Sequence, residues 1–304
     1  MTPLLRVSDL EAGVLASVSF TVRRGEVVCV AGPPGSGKTT LAECVAGSRE
    51  PDAGHVEPNG RVGVSLRDDD PPARMKVGEA LALFAGLYGT RGLPAHLVDL
   101  LDLGTLLGRR FGALTEGQRR RAQVALALAG NPELVVLDDP MGGLRDGSRD
   151  RIERVIAELS AGYGAVCLML DDPAQAERLA DRVVLLRAGR VLAEAEPSRL
   201  LGLLGADWVL RVPSQVRVGE PPEVQVLRGS SSTYLYGERP ALERAARDLP
   251  GINGNRVRPT SLRDAYLVLS AEGRQEAARD REPLTLTGRL VGPSEVPAAL
   301  EQGS

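Results

Sequence analysis

Residues 27–40 read VVCVAGPPGSGKTT, and this stretch narrows the fold more than any other. Five residues without a polar break suit a strand buried on both faces, the setting of a parallel sheet. A Gly/Pro turn follows, and then a pattern that predicts a helix over 38–48. A buried strand, a glycine-rich turn and a helix in that order make an anion cradle. Successive backbone N–H groups curl around the ligand, and the helix N-terminus adds partial positive charge. Gly32, Pro33, Pro34, Gly35, Ser36, Gly37, Lys38, Thr39 and Thr40 form this loop. Gly32, Gly37, Lys38 and Thr39 stand at the fixed positions of the phosphate-binding pattern. Lys38 is expected to reach the β- and γ-phosphates of a nucleotide, and Thr39 to bind Mg²⁺.

The rest of the chain fits such a frame. LASVSFTV at 15–22 alternates as a half-buried strand does. Helical spacing of apolar residues appears at 78–88, 116–129, 148–160 and 173–180, and apolar strand patterns at 133–137, 165–170 and 182–186. Strands alternating with helices imply an α/β fold whose mostly parallel sheet is covered on both faces. The strand ELVVL delivers Asp138 at its end, where a carboxylate can hold the Mg²⁺ shell of a bound nucleotide. Past about residue 205 the pattern loosens. Three short strand-like runs within 207–236, a helix at 240–248 and another at 261–270 predict a small α/β accessory domain over 206–272. Residues 273–304 are charged and Pro/Gly-containing, and are expected to form a mobile tail.

Composition removes some function classes. Lys plus Arg total 37 against 40 Asp plus Glu, a net charge of -3, so no global basic field draws the chain to nucleic acid. The Arg119–Arg121 run reads as a solvated helix face. No apolar stretch approaches the ~18 residues that span a bilayer, and the first residues lack a signal-peptide core. The expected location is the cytoplasm, with any membrane attachment supplied by another subunit. Cys29, Cys44 and Cys167 lack metal or redox spacing; Cys29 and Cys167 read as buried thiols.

Residues 114–132, LTEGQRRRAQVALALAGNP, add the deciding motif. With the phosphate loop before it and LVVLDDP after it, this segment resembles the signature of the ATP-binding cassette (ABC) family, over roughly residues 4–205. Thr115 can cap the helix and Gly117 lets the backbone approach a ligand. The resemblance implies a P-loop ATPase with a helical subdomain at about 67–130, using ATP and Mg²⁺. It implies that Leu114, Thr115, Glu116, Gly117 and Gln118 face the γ-phosphate bound by a second cassette, in a homodimer or heterodimer. It also implies a polytopic membrane permease as partner and a place at the inner face of the cell membrane. Residues 257–273, VRPTSLRDAYLVLSAEG, are similar to the accessory C-terminus of prokaryotic ABC ATPases, many of which export drugs, antibiotics or lipids. Residues 67–90 are a candidate docking surface for the membrane subunit, although the acidic run 68–70 reads equally well as a solvated loop.

Several positions depart from the family. Asp139 stands where a glutamate polarises the attacking water, and one methylene fewer withdraws its carboxylate by roughly 1.5 Å. Asp171 replaces the switch histidine, where an aspartate would repel the γ-phosphate unless protonated or turned away. Arg67 takes the place of the glutamine that links Mg²⁺ and water to the membrane subunit, and Arg145 that of a further aspartate. The aromatic residue that stacks on adenine is missing from DLEAGVLASVSF. Binding motifs intact beside altered hydrolysis motifs lead to the expectation of an ATPase with weak hydrolysis of its own. The alternative is an ATP-binding regulatory or structural protein outside transport.

Overall fold

The computed structural model describes residues 2–67, 69–144, 147–162, 164–219, 223–229, 231–252 and 256–277. The chain divides into two compact units, 1–196 and 197 onward. In the first, chain order runs β1 (Leu5–Ala12), β2 (Leu15–Val22), β3 (Val27–Ala31), α1 (Lys38–Ala46), β4 (Ala53–Pro58), β5 (Val62–Ser65), α2 (Val77–Leu87) and α3 (Ala95–Leu100). Then come α4 (Glu116–Leu128), β6 (Leu134–Asp138), α5 (Ser148–Ala161), β7 (Ala165–Leu170), α6 (Pro173–Ala176), β8 (Arg182–Arg187) and β9 (Arg190–Ala195).

Six strands form one sheet in the order β5-β6-β7-β3-β8-β9, parallel except for β9. Every residue of β3, β6 and β7 is buried, as their unbroken apolar runs require. A smaller antiparallel sheet, β2-β1-β4, lies beside it. Helix α1 belongs to the core between them. Its Leu41, Ala42, Cys44 and Val45 share one cluster with Leu5, Val7, Leu10 and Phe20 of the small sheet and Val28, Val136, Cys167 and Met169 of the large one. Burial on both sides fixes α1, and with it the loop that precedes it. Helix α5 presents Ile152, Val155 and Ile156 at helical spacing as its buried stripe. All three cysteines are free and buried.

In this unit two expectations need correction, and two strands were not foreseen. Helix 173–180 is a single turn, α6, because Asp181 draws the chain onto β3: its N–H donates to the Val27 carbonyl at 2.9 Å, and its carboxylate accepts the Val27 N–H at 2.8 Å. Strands β1 and β4 escape the periodicity argument. β1 slips register between Val7 and Leu10, around Asp9 at φ 47°, and β4 is largely exposed. The Arg119–Arg121 run is no solvated face. Arg121 is buried and donates to the Leu101 and Asp102 carbonyls and to the Asp102 carboxylate, placing a cation at the C-terminus of α3. Arg119 pairs with Asp70 at 3.2 Å, and Arg120 donates to the Arg67 carbonyl at 2.8 Å.

The second unit contains α7 (Pro197–Gly202), β10 (Trp208–Pro213), β11 (Val224–Arg228), β12 (Ser232–Gly237), α8 (Arg239–Arg247), β13 (Val257–Pro259) and α9 (Leu262–Ala277). Its sheet is antiparallel in the order β11-β12-β10-β13. Leu242 and Ala246 of α8 pack with Leu210, Val226 and Leu235 of that sheet. The unit begins at 197, ahead of the expected 206, because α7 packs against α9. The fully buried Asp264 receives both Arg258 guanidinium nitrogens, at 2.8 and 2.9 Å, joining β13 to α9. That helix continues past the expected 270 to Ala277. The rest of the expected tail, 278–304, lies outside the described residues.

Candidate nucleotide site

The phosphate loop leaves β3 at Gly32, whose N–H donates to the Leu170 carbonyl at 3.1 Å. A Cβ there would stand 2.1 Å from the Leu186 carbonyl oxygen, so the crossing of two backbones demands glycine. Gly37, at φ 107°, starts α1, and a Cβ on it would meet the Leu15 side chain at 2.4 Å. Pro33, Pro34 and Gly35 form the exposed crest, and Thr40 is half-buried on the first turn of α1. Lys38 is only 5% exposed. Its ammonium donates to the Gly32 carbonyl (2.7 Å), the Pro33 carbonyl (2.9 Å) and Ser36 Oγ (3.3 Å). The loop is braced by the β8–β9 turn, where the Gly189 N–H donates to the Ser36 carbonyl at 3.1 Å and the Gly189 carbonyl accepts the Ala16 N–H at 2.9 Å. Gly189 stands at φ 78°, and a Cβ would fall 1.6 Å from the Val14 carbonyl oxygen. Gly189→Ala is therefore expected to cost about 2–5 kcal/mol of stability, from backbone strain and overpacking together. Thermal unfolding of the purified variant measures it.

Thr39 and Asp138 come together from α1 and β6. Thr39 Oγ1 donates to Asp138 Oδ2 at 2.8 Å. Burial raises the pKa of Asp138 above its ordinary value, with the Thr39 hydrogen bond opposing. Two hard oxygen donors beside a phosphate cradle, one of them a carboxylate that burial leaves short of compensation, fit Mg²⁺, which takes one or two protein oxygens plus phosphate and water.

The altered positions are not independent. Asp171 Oδ1 lies 3.0 Å from Lys38 Nζ, and Asp171 Oδ2 lies 3.1 Å from the Arg67 guanidinium. The same guanidinium reaches Asp139 Oδ2 at 2.5 Å. Lys38, Asp171, Arg67 and Asp139 thus form one continuous chain of alternating charge. Burial alone would raise the pKa of Asp171, but the Lys38 hydrogen bond and charge, then those of Arg67, hold it below the ordinary carboxylate range. The expectation for Asp171 concerned a bound γ-phosphate; here its carboxylate faces Lys38 and Arg67, and both cations compensate its charge. Asp139 is buried, which raises its pKa, while Arg67 opposes the shift. It holds the left-handed backbone at φ 46°, which aspartate tolerates better than most residues. Gly142 makes room for it, since a Cβ there would fall 2.0 Å from the carboxylate. Arg145 lies outside the described residues.

In the signature segment, Thr115 caps α4. Its Oγ1 accepts the Gln118 N–H at 3.4 Å, and Gln118 Oε1 accepts the Thr115 N–H at 3.0 Å, a reciprocal box that satisfies two orphan donors. Arg109 also donates to Gln118 Oε1, at 3.1 Å. Leu114 and Gly117 are buried and Glu116 is exposed. Among the described residues these groups make no hydrogen bond to residues 32–40 of the same chain. Sequence reasoning missed Arg120, Gln123 and Asp70 as parts of the site's frame. Gln123 donates to Asp70 at 2.8 Å, so α4 holds the segment that carries Arg67 from both sides. The clue was present as an arginine run on one helix facing an acidic run upstream.

Residues 15–142 match the family described as ABC transporter. The Nod factor export ATP-binding protein I of Rhizobium sp. (strain N33) is 32% identical over 281 residues, spanning 84% of this chain and 92% of that protein. The chain belongs to the ABC transporter family. The Fe(3+) ions import ATP-binding protein FbpC of Streptomyces avermitilis is 35% identical over 201 residues, 60% of this chain and 58% of that protein. A solved ATP-binding subunit of an ABC transporter shares 27% identity and a TM-score of 0.61, over 66% of this chain and 93% of that one. The fold is accordingly the cassette form of the P-loop NTPases. The chain is an ATP-binding subunit of an ABC transporter, an ATPase using ATP with Mg²⁺. Such subunits dimerise as cassettes and work with membrane permease components. These relatives do not favour a role outside transport. Among the described residues, no helix of the cassette is long and apolar enough to cross a membrane.

Proposed function

We propose that this cassette binds MgATP mainly as a clamp and hydrolyses it weakly. The loop 32–40 with Lys38 holds the phosphates, Thr39 and Asp138 hold Mg²⁺, and Leu114–Gln118 serve the nucleotide on a second cassette packed head to tail. Magnesium, when bound, neutralises phosphate charge. Closure around ATP supplies the stroke by shifting an open–closed equilibrium. A partner cassette with the family's glutamate and histidine fires the site that this chain's signature completes. The single observation behind weak hydrolysis is the Arg67–Asp139 pair at 2.5 Å. The carboxylate that should polarise water is already held by a guanidinium, and the carboxylate itself is short.

The cassette works in the cytoplasm, at the inner face of the cell membrane through a polytopic permease, and does not use nucleic acid as a partner. Export of a drug, antibiotic or lipid-like molecule is the favoured direction, supported by the export relative matched along nearly its whole length, second unit included. The Fe(3+) import relative makes uptake the competing outcome, which transport into inverted vesicles distinguishes. Turnover decides the clamp reading. Purified alone, the chain is expected to hydrolyse ATP about 10²-fold more slowly than when mixed with a partner cassette carrying the usual residues. Fast solo turnover that survives Asp139→Asn removes it.

A further inference from the structure

We infer that Asp171 is a built-in rival of the nucleotide's phosphates for Lys38, and that Arg67 sets how strongly it competes. The inference rests on the reading of this site as a MgATP clamp. An ammonium offers three N–H donors. Lys38 has four oxygen acceptors within 2.7–3.3 Å: the Gly32 and Pro33 carbonyls, Ser36 Oγ and Asp171 Oδ1. Three of these are neutral parts of the cradle. Asp171 is the one anion, and so the one that contends with phosphate for the same charge.

Arg67 moderates the contest from the other side. It holds Asp171 Oδ2 at 3.1 Å, and its own backbone is fixed by Arg120. When phosphate takes Lys38, Asp171 keeps Arg67 as a counter-ion, so the exchange leaves no half-buried anion unpaired. Without Arg67, Asp171 has Lys38 alone and grips it harder, while Asp139 faces the phosphates uncompensated. The two residues therefore act in opposite directions on nucleotide affinity although they are bonded to each other. A purely structural ion pair would give losses of the same sign.

Fluorescence titration of the full chain with a labelled ATP, with and without Mg²⁺, tests this, with labelled AMP as control because Lys38 serves the β- and γ-phosphates. Asp171→Asn is expected to tighten ATP binding about three- to tenfold and leave AMP unchanged, in line with the worth of a partly exposed charge pair. Arg67→Ala is expected to weaken ATP binding by a similar factor. The double variant should fall between the two single variants, since Asp171→Asn frees Lys38 but leaves Asp139 without its Arg67 partner. Asp171→Ser provides a second neutralised variant if the asparagine form melts early. Should both neutralised variants, with wild-type melting curves, bind ATP no tighter than the parent, the competition is refuted while the clamp reading stands. If the parent chain itself shows no saturable MgATP binding, the clamp reading and the inference on it both fall.

Discussion

Lys38→Ala is expected to weaken MgATP binding roughly a hundredfold, the worth of hydrogen bonds from a charged donor to phosphate. The lysine is 5% exposed and lies inside the loop, and hydrogen bonds from a donor held out of water keep more of their strength. Removing it has a second consequence. Asp171 loses the nearer of its two cations and becomes an unopposed negative charge beside the cradle. The loss should therefore be smaller in Lys38→Ala/Asp171→Asn than in Lys38→Ala alone. Equilibrium titration with labelled ATP measures both. Binding of the single variant within twofold of the parent would mean that the loop 32–40 is not where the phosphates sit.

Much of this site could be read from the sequence because its physics is local. A strand, a glycine turn and a helix follow one another within 27–46, so adjacency in sequence is adjacency in space. The buried runs VVCVA, LVVL and AVCLML announce central strands for the same reason: burial on both faces leaves little room for polar residues. What stayed hidden depends on partners distant in sequence. Arg67 and Asp171 are bonded across 104 positions, and each, taken alone, looked like the loss of a family residue. Together they are a compensated exchange, a new cation between two anions. The basic run of α4 misled for the same reason. Its charges point at Asp70, Asp102 and the Arg67 carbonyl, none of which periodicity can see. Strand β4 failed from the opposite cause, since its six residues are mostly exposed and backbone pairing to β1, not apolar patterning, holds it in place.

The exchange also predicts how hydrolysis would be regained. Arg67→Gln, Asp139→Glu and Asp171→His made together are expected to raise ATP turnover of the isolated chain about 10²-fold or more, since misplacing a catalytic group by about 1 Å costs that much. Made singly, the changes should gain little. Asp139→Glu alone lengthens a carboxylate that Arg67 still holds. Asp171→His alone leaves Arg67 with Asp139 as its one acidic partner in this chain of charge and tightens that grip. Arg67→Gln alone frees Asp139 but leaves it short, with Asp171 ionised nearby. Contacting residues in one charge network couple in this non-additive way. Part of the gain is offset because a glutamate at φ 46° costs about 1 kcal/mol of backbone strain, which should appear as a slightly lower melting temperature of the triple variant. Steady-state phosphate release from the parent, the three single variants and the triple variant, at saturating MgATP, separates the cases. A triple variant no faster than the parent would mean that the ion chain does not limit the chemistry, and that the block lies in the missing contacts of the second cassette.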